Sequence, residues 1–378
     1  MTNLILALDF GGTKLSAALF VASKKSHAKT QSPPSEDFSL RLADFASLRE
    51  ISSSYTILDL RRVVTPADAD AAYELAAMTA LARELLAGQQ PAAVGVSFGG
   101  PVDYATGVVG LSPHVPGWES LPLRDRLAAE FGCPVAVDND ANVAALGEHR
   151  FGAGRGVADM MYVTVSTGVG GGWILGGRPW RGHAGMAGEV GHTVADPAGP
   201  LCLCGKRGCV ERLASGPYMA GDLEEERDAE KRGGARRDAE EEKRNTEEHR
   251  GAQRDTEKET EDISSSASLP PLSASLRSSS LLTGRDVAEL AAAGDELARA
   301  ILLRGAWALG VGLGNAANLM NPQRFVLGGG VTKAGAAWWA EVRRSAAATA
   351  LPEVRFDVVP AALGDDAPLW GALALAEE

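Results

Sequence analysis

Residues 164–211 read TVSTGVGGGWILGGRPWRGHAGMAGEVGHTVADPAGPLCLCGKRGCVE, and three kinds of chemistry share that window. A short apolar run ends in Ser166-Thr167-Gly168 and continues into Gly170-Gly171-Gly172, a glycine-rich turn whose backbone N–H groups can cradle phosphate. Gly188-Glu189-Val190-Gly191-His192 then sets a carboxylate near an imidazole. Cys202, Cys204 and Cys209 follow as soft metal donors. Few purely structural segments have a use for all three.

Around this window the composition is that of a globular protein. At 378 residues, with 45% hydrophobic and 23% charged, the chain can bury ample core, and its length suggests two domains. A net charge of −12 argues against nucleic acid as a partner, because phosphate-backbone binding needs a basic face. No uninterrupted apolar run of about 18 residues is present, so no membrane span is expected. The first residues, MTNLILALDFGG, lack the basic region and cleavage site of a signal peptide and read as a buried strand entering a turn. The CxC spacing is too short for an easy disulfide framework, which favours a cytoplasmic location.

Outward to the N-terminal side, Leu4–Leu8 is an apolar strand closed by Asp9-Phe10-Gly11-Gly12-Thr13-Lys14, and Leu15–Phe20 resumes strand character. The turn can cradle phosphate through its N–H groups and Thr13, with Asp9 reaching Mg²⁺ through water. Equally, glycine can serve there only to turn a hairpin. It is not a Walker A loop, which needs GxxxxGK followed by Ser or Thr. Ser23–Ser54 is polar and Ser-rich, a loosely ordered loop or insertion. Asp68–Leu86 has helical spacing, and Val94–Phe98 is a buried strand closing on Gly99-Gly100-Pro101. In the proline-bracketed loop Ser112–Trp118, His114 and Trp118 are open to two readings, ligand contact or surface packing.

A helix over Leu121–Phe131 is followed by a strand at Val135–Val137 and by Asp138-Asn139-Asp140-Ala141-Asn142 opening another helix. Polar residues where a strand meets a helix lie at the carboxyl edge of a sheet, where open α/β folds bind ligands. An Asp there can be a general base or a helix cap, but one helix needs only one cap. On the C-terminal side, Asp222–Asp262 holds 17 acidic and 10 basic residues, and Ser264–Ser280 is Ser-rich low complexity. The span 222–280 therefore reads as a charged, disordered insertion. Asp286–Gly314 is a long helical region capped by Thr283, Arg324–Leu327 a strand meeting Gly328-Gly329-Gly330, Val354–Val359 a strand, and Asp365–Ala376 a final helix.

The motifs DFGGTK (Asp9–Lys14), NDAN (Asn139–Asn142), STGVGG (Ser166–Gly171), GEVGH (Gly188–His192), CLCGKRGCVE (Cys202–Glu211) and LGGG (Leu327–Gly330) stand in the order found in the ROK family. The chain resembles the sugar kinases of that family, glucokinases among them. The resemblance implies an actin-like ATPase (ribonuclease H-like) α/β fold, two lobes with a cleft between them. The expected division is 1–134 for the N-terminal lobe with 23–54 as its loop, and 135–365 for the C-terminal lobe with its zinc site. Residues 366–378 form a C-terminal helix able to pack back on the N-terminal lobe.

By the same resemblance, Gly11, Gly12, Thr13 and Lys14 with Thr167, Gly168, Gly170 and Gly171 would grip the phosphates of ATP. Asp9 would help place Mg²⁺, and Gly328 and Gly329 would line the adenosine side. Asp140 would be the catalytic base, taking the proton of a sugar hydroxyl as it attacks the γ-phosphoryl group. Asn139, Glu189, His192 and Glu211 match positions that hold sugar hydroxyls, with His114 in a loop where glucokinases of the family usually carry Asn. His192, Cys202, Cys204 and Cys209 make a closed set for a structural Zn²⁺, with His183 the competing histidine. The implied reaction is ATP-dependent phosphorylation of a hexose, glucose at its 6-hydroxyl first. Fructose, mannose or an N-acetylhexosamine are alternative substrates, and a non-catalytic sugar sensor or transcriptional regulator is the alternative role. With the first strand read from Leu4, no helix-turn-helix is expected before it. A homo-oligomer, dimer or tetramer, is the expected assembly.

Overall fold

The computed structural model describes residues 3–11, 13–22, 54–110, 115–232 and 282–378. Its first sheet grows from β1 (Leu4–Phe10), every residue of which is buried. A strand apolar on both faces belongs in the middle of a covered sheet. β1 pairs antiparallel with β2 (Lys14–Ala22) and parallel with β4 (Ala93–Phe98). β3 (Tyr55–Val64) and β8 (Val135–Asn139) form the two edges, in the order β3-β2-β1-β4-β8.

The second sheet repeats this plan. β9 (Met160–Val165) pairs antiparallel with β10 (Val169–Leu175) and parallel with β12 (Arg324–Gly328), between edges β11 (Arg178–Trp180) and β13 (Asp357–Pro360). The order and the strand directions match those of the first sheet, so the β1–β2 and β9–β10 turns occupy equivalent corners of the two sheets. A small sheet of β5 (Val102–Asp103), β6 (Val108–Val109) and β7 (Leu121–Pro122) sits beside the first.

Helices cover both sheets. α1 (Ala71–Leu86) begins where Asp70 accepts from Tyr73 N, and α2 (Leu123–Phe131) joins it over the first sheet. On the second sheet lie α4 (Val210–Ala214), α5 (216–232), α6 (Gly284–Ala292), α7 (Glu296–Met320) and α8 (Ala336–Thr349). A third core forms between the lobes, where α3 (Asp140–Phe151) crosses α9 (Ala367–Leu375). Here the backbones nearly touch. A Cβ on Gly371 would stand 1.8 Å from Val143 O, and one on Gly95 of β4 the same distance from Ala372 O. Only glycine permits this approach, and it presses α9 onto the N-terminal sheet.

Several expectations shift. Val135–Asn139 is an edge strand of the first sheet, so that lobe runs past residue 134 to Asn139. Parallel pairing to β4 decides this, and pairing is invisible in local sequence. The insertion expected from Asp222 begins later, because 222–232 continue α5 and its remainder lies outside the described residues. Asp222 is buried, accepting from both guanidinium nitrogens of Arg212 at 2.8 and 3.1 Å and pairing with Arg304. Charge-rich composition hid an anchored helical turn.

The helical region at 286–314 is two helices. Thr283 caps α6 with a reciprocal Thr283–Asp286 box, α6 stops at Ala292, and Asp295 caps α7. By length and composition α7 could cross a membrane, but 61% of its most apolar window is buried within the protein. Trp118 is a core residue, neither surface packing nor a ligand contact. It is fully buried against Phe10 and Phe98 and donates to Glu74 at 3.0 Å. The 23–53 part of the expected loop lies outside the described residues.

Candidate active site

Both sheets point the carboxyl ends of their parallel strands at one cleft of about 670 Å³. That edge is where α/β sheets collect ligands, since loops there can approach a bound group without competing with strand pairing.

On one wall stands the β1–β2 turn, from which Gly11, Thr13 and Lys14 line the cleft. Gly12 lies outside the described residues. Asp9, at the end of β1, is buried and accepts from Ser97 Oγ at 2.8 Å. Burial pushes its carboxyl up to about 7; the Ser97 bond opposes this and the charge of Asp140 adds to it.

At the equivalent corner of the second sheet the β9–β10 turn presents Thr167 and Gly168, and Gly170 and Gly171 line the cleft from the start of β10. Glu211, one residue into α4, accepts from Val169 N at 2.9 Å. This bond ties the acid to the turn so closely that a Cβ on Gly168 would meet Glu211 Oε2 at 2.8 Å. Of the pair read as the adenosine side, Gly329 lines the cleft together with Gly330. Gly328 is buried behind them against Tyr162, where a Cβ would come within 2.3 Å of the phenol oxygen.

Asp140 opens α3 at the floor of the cleft. Asn139 is the helix cap, its Oδ1 accepting from Ala141 N at 3.0 Å and Asn142 N at 3.4 Å. The Asn139 Nδ2 donates to Gly100 O at 3.1 Å and to Asp140 Oδ1 at 3.0 Å. Both ends of that amide are therefore committed within the protein. Asp140 Oδ1 also accepts from Ala141 N at 2.8 Å, so both bonds fall on that one carboxyl oxygen. Burial raises the Asp140 carboxyl to about 6 against these two bonds, with the charge of Glu189 adding to the rise. Such a carboxylate is poised to exchange a proton near neutral pH.

Glu189, His192 and Glu211 line the remaining wall with Gly185, Met186 and Ala187. Behind it, His192, Cys202, Cys204 and Cys209 bring one ligand atom each within 4.8 Å of one another. His192 Nδ1 is 4.0 Å from Cys202 Sγ, and Cys204 Sγ is 3.5 Å from Cys209 Sγ. The last distance is far beyond a disulfide bond. It fits the edge of a tetrahedron about a zinc with Zn–S near 2.3 Å, roughly 3.8 Å. His183 is not among the four. His192 alone belongs both to the cluster and to the cleft lining, and His114 lies outside the described residues.

Some residues that shape the site carry no motif. Ser97 reaches Asp9 only because β1 and β4 pair in that register. Asp365 and Pro368 enter from the far end of the chain as α9 folds back. Tyr162 and Thr164 are two apart along β9, a period that would have marked one face of that strand.

Comparison with known proteins gives concordant results. The profile of the ROK family matches residues 50–378. A glucokinase of Halalkalibacterium halodurans is 36% identical over 285 residues, 74% of each chain. An N-acetylmannosamine kinase of Shigella flexneri is 35% identical over 223 residues, 57% of this chain and 62% of that one. Among solved structures, the ROK family glucokinase of Streptomyces griseus in complex with glucose and AMPPNP covers 99% of both chains at 29% identity, with a TM-score of 0.67.

Proposed function

This chain belongs to the ROK family, and from that membership we propose that it is an ATP-dependent sugar kinase acting first on glucose, with Asp140 as its base. The observation that carries the reading is that Asp140 lines one cleft together with the two glycine turns and with Glu189, His192 and Glu211. The actin-like fold supports it too, as does a relative solved with glucose and an ATP analogue.

The wall carboxylates and His192 hold the sugar by its hydroxyls, because carboxylates read adjacent hydroxyls through paired hydrogen bonds. Asp140 Oδ2 takes the proton of the attacking hydroxyl while that oxygen bonds to the γ-phosphorus and ADP leaves. Asn139 turns Oδ1 away from the reaction and so aims Oδ2. The N–H groups of the two turns, with Thr13 and Thr167, receive the phosphate oxygens, and Lys14 supplies positive charge. Gly329 and Gly330 leave room for the adenosine. Catalysis here is positioning and charge neutralisation.

A magnesium ion near Asp9 would neutralise charge between the transferred and leaving phosphates. The fit is chemical: a buried carboxylate that resists ionisation is stabilised by a cation. The three sulfurs and one imidazole nitrogen suit structural zinc and leave no position open for water. His192, Cys202, Cys204 and Cys209 would hold it, and it would fix the 192–209 loop and the start of α4.

A coupled ADP-release assay with Mg-ATP over glucose, mannose, fructose and N-acetylmannosamine tests the reading. Turnover of glucose with the highest kcat/KM is expected, and no turnover on any sugar would refute it. N-Acetylmannosamine is the second candidate, because a relative 35% identical is a kinase for it.

A further inference from the structure

A half-buried cation, paired with a buried carboxylate, ties the two sheets together beside the base. Arg181 follows β11 at the edge of the second sheet, and Asp138 lies near the end of β8 at the edge of the first. Arg181 Nε donates to Asp138 Oδ2 at 2.6 Å, with side-chain exposures of 17% and 3%. The guanidinium carbon stands 3.6 Å from the ring centroid of Tyr104, and Nη2 lies 3.6 Å from Glu378 Oε2. Asp138 Oδ1, on the other side, accepts from Asn139 N at 2.8 Å and Asn142 Nδ2 at 3.2 Å. The ion pair is thus one bond removed from the residue that aims Asp140.

Arg181 also begins the loop that forms part of the cleft wall. Ala187 N donates to Arg181 O at 3.1 Å and closes the loop on itself. Gly185 meets the N-terminal lobe at Val102, where an added Cβ would stand 3.0 Å from the carbonyl oxygen. Between these two anchors, Gly185, Met186 and Ala187 face the cleft beside Glu189.

Resting on the sugar-kinase reading above, we infer that Arg181 is a positioning residue for the sugar, clamping the 182–187 wall against the strand that carries Asn139 and Asp140. Arginine suits this place, since its planar fork can hold a carboxylate and stack on a ring at once. Lysine keeps the charge beside Asp138 but neither stacks nor reaches Glu378. The side chains of Arg181 and Asp138 bond no described residue of either phosphate turn, so the clamp acts first on the sugar.

The test uses two variants of the full chain, Arg181→Lys and Tyr104→Leu. The first retains a positive charge beside Asp138, and the second leaves the ion pair intact. Arg181→Met is avoided, because a buried unpaired Asp138 endangers folding. In each variant KM for the best sugar, and its calorimetric Kd, should rise about tenfold, with KM for ATP within about twofold of wild type and kcat less affected. Unchanged sugar affinity in both variants, or KM values for sugar and ATP rising in parallel, would overturn the clamp. If the wild type neither binds nor phosphorylates any of the four sugars, the sugar-kinase reading fails and the clamp falls with it. A wild type active on one of them, with variants that bind it as tightly, removes the clamp alone.

Discussion

Asn139 holds Asp140 from one side. Its Nδ2 donates to Asp140 Oδ1 at 3.0 Å, while its own Oδ1 caps the helix that Asp140 begins. One side chain thereby fixes both the start of α3 and the direction of the proposed base.

Asp140→Asn keeps that geometry and removes only the basic oxygen. Turnover should fall by about 10²–10⁴-fold with the fold and sugar binding retained, the usual worth of a general base. The coupled assay and a sugar titration measure both. Near-wild-type turnover would place the base elsewhere.

The raised Asp140 carboxyl predicts where activity is lost in acid. The ionised form is the base, so kcat/KM should fall as pH drops through about 6, well above the ordinary aspartate value of 3.8. For stability the sign is opposite. Between 3.8 and about 6 the folded carboxyl keeps a proton that the unfolded chain has lost. Its ionisation therefore costs stability above pH 6, and the cost is relieved as pH falls. Asp140→Asn removes that cost, and at pH 7 it should melt at or above the wild-type temperature. An acid limb near pH 4, or a clearly lower melting point for the variant, speaks against this.

Purified protein should carry about one zinc per chain, in keeping with a closed four-ligand site. Cys204→Ser should reduce the metal content and lower Tm by about 5 °C or more, since binding energy at such a site is folding energy. Sugar affinity should weaken as well, because His192 belongs to both cluster and cleft. Elemental analysis together with thermal melts decides it, and a metal-free wild type of full stability would remove the zinc assignment.

Glu148 is buried and accepts from Ala153 N, Ala362 N and Leu363 N at 2.8, 3.1 and 2.7 Å. It fastens the end of α3 to the segment leading to Asp365 in the cleft wall. In Glu148→Gln the amide nitrogen must face at least one of these donors, leaving it unpaired. A loss of about 1–3 kcal/mol in urea unfolding is expected. An unchanged urea midpoint would mean that the segment repacks.

Local chemistry carried much of this into the sequence. Glycine and hydroxyl residues at strand ends, a carboxylate opening a helix, and a Cys/His set with metal-ligand spacing are short-range patterns. Asp9, the acidic helix start at 138–142 and the zinc-type cluster could be named from them, while the choice of Asp140 as base and of Glu189 and Glu211 as sugar ligands came from the family resemblance. The structure gathers Asp9, Asp140, Glu189 and Glu211 around one cleft. The strong caps at Thr283 and Asp295 are local too, although the apolar spacing runs through the break between them.

What only the tertiary structure decided is long-range. Placing β8 in the first sheet depends on its pairing with β4, and Ser97 reaches Asp9 through the register of β1 with β4. Asp365 enters the cleft because Gly371 and Gly95 let α9 press against α3 and β4. The Arg181–Asp138 pair spans 43 residues and two sheets. Pairing energies and close backbone approaches involve residues far apart in the chain, and a local pattern holds no record of them. The sequence by itself therefore determined which chemistry this protein carries. The fold decided which of those groups face one another, and what holds them there.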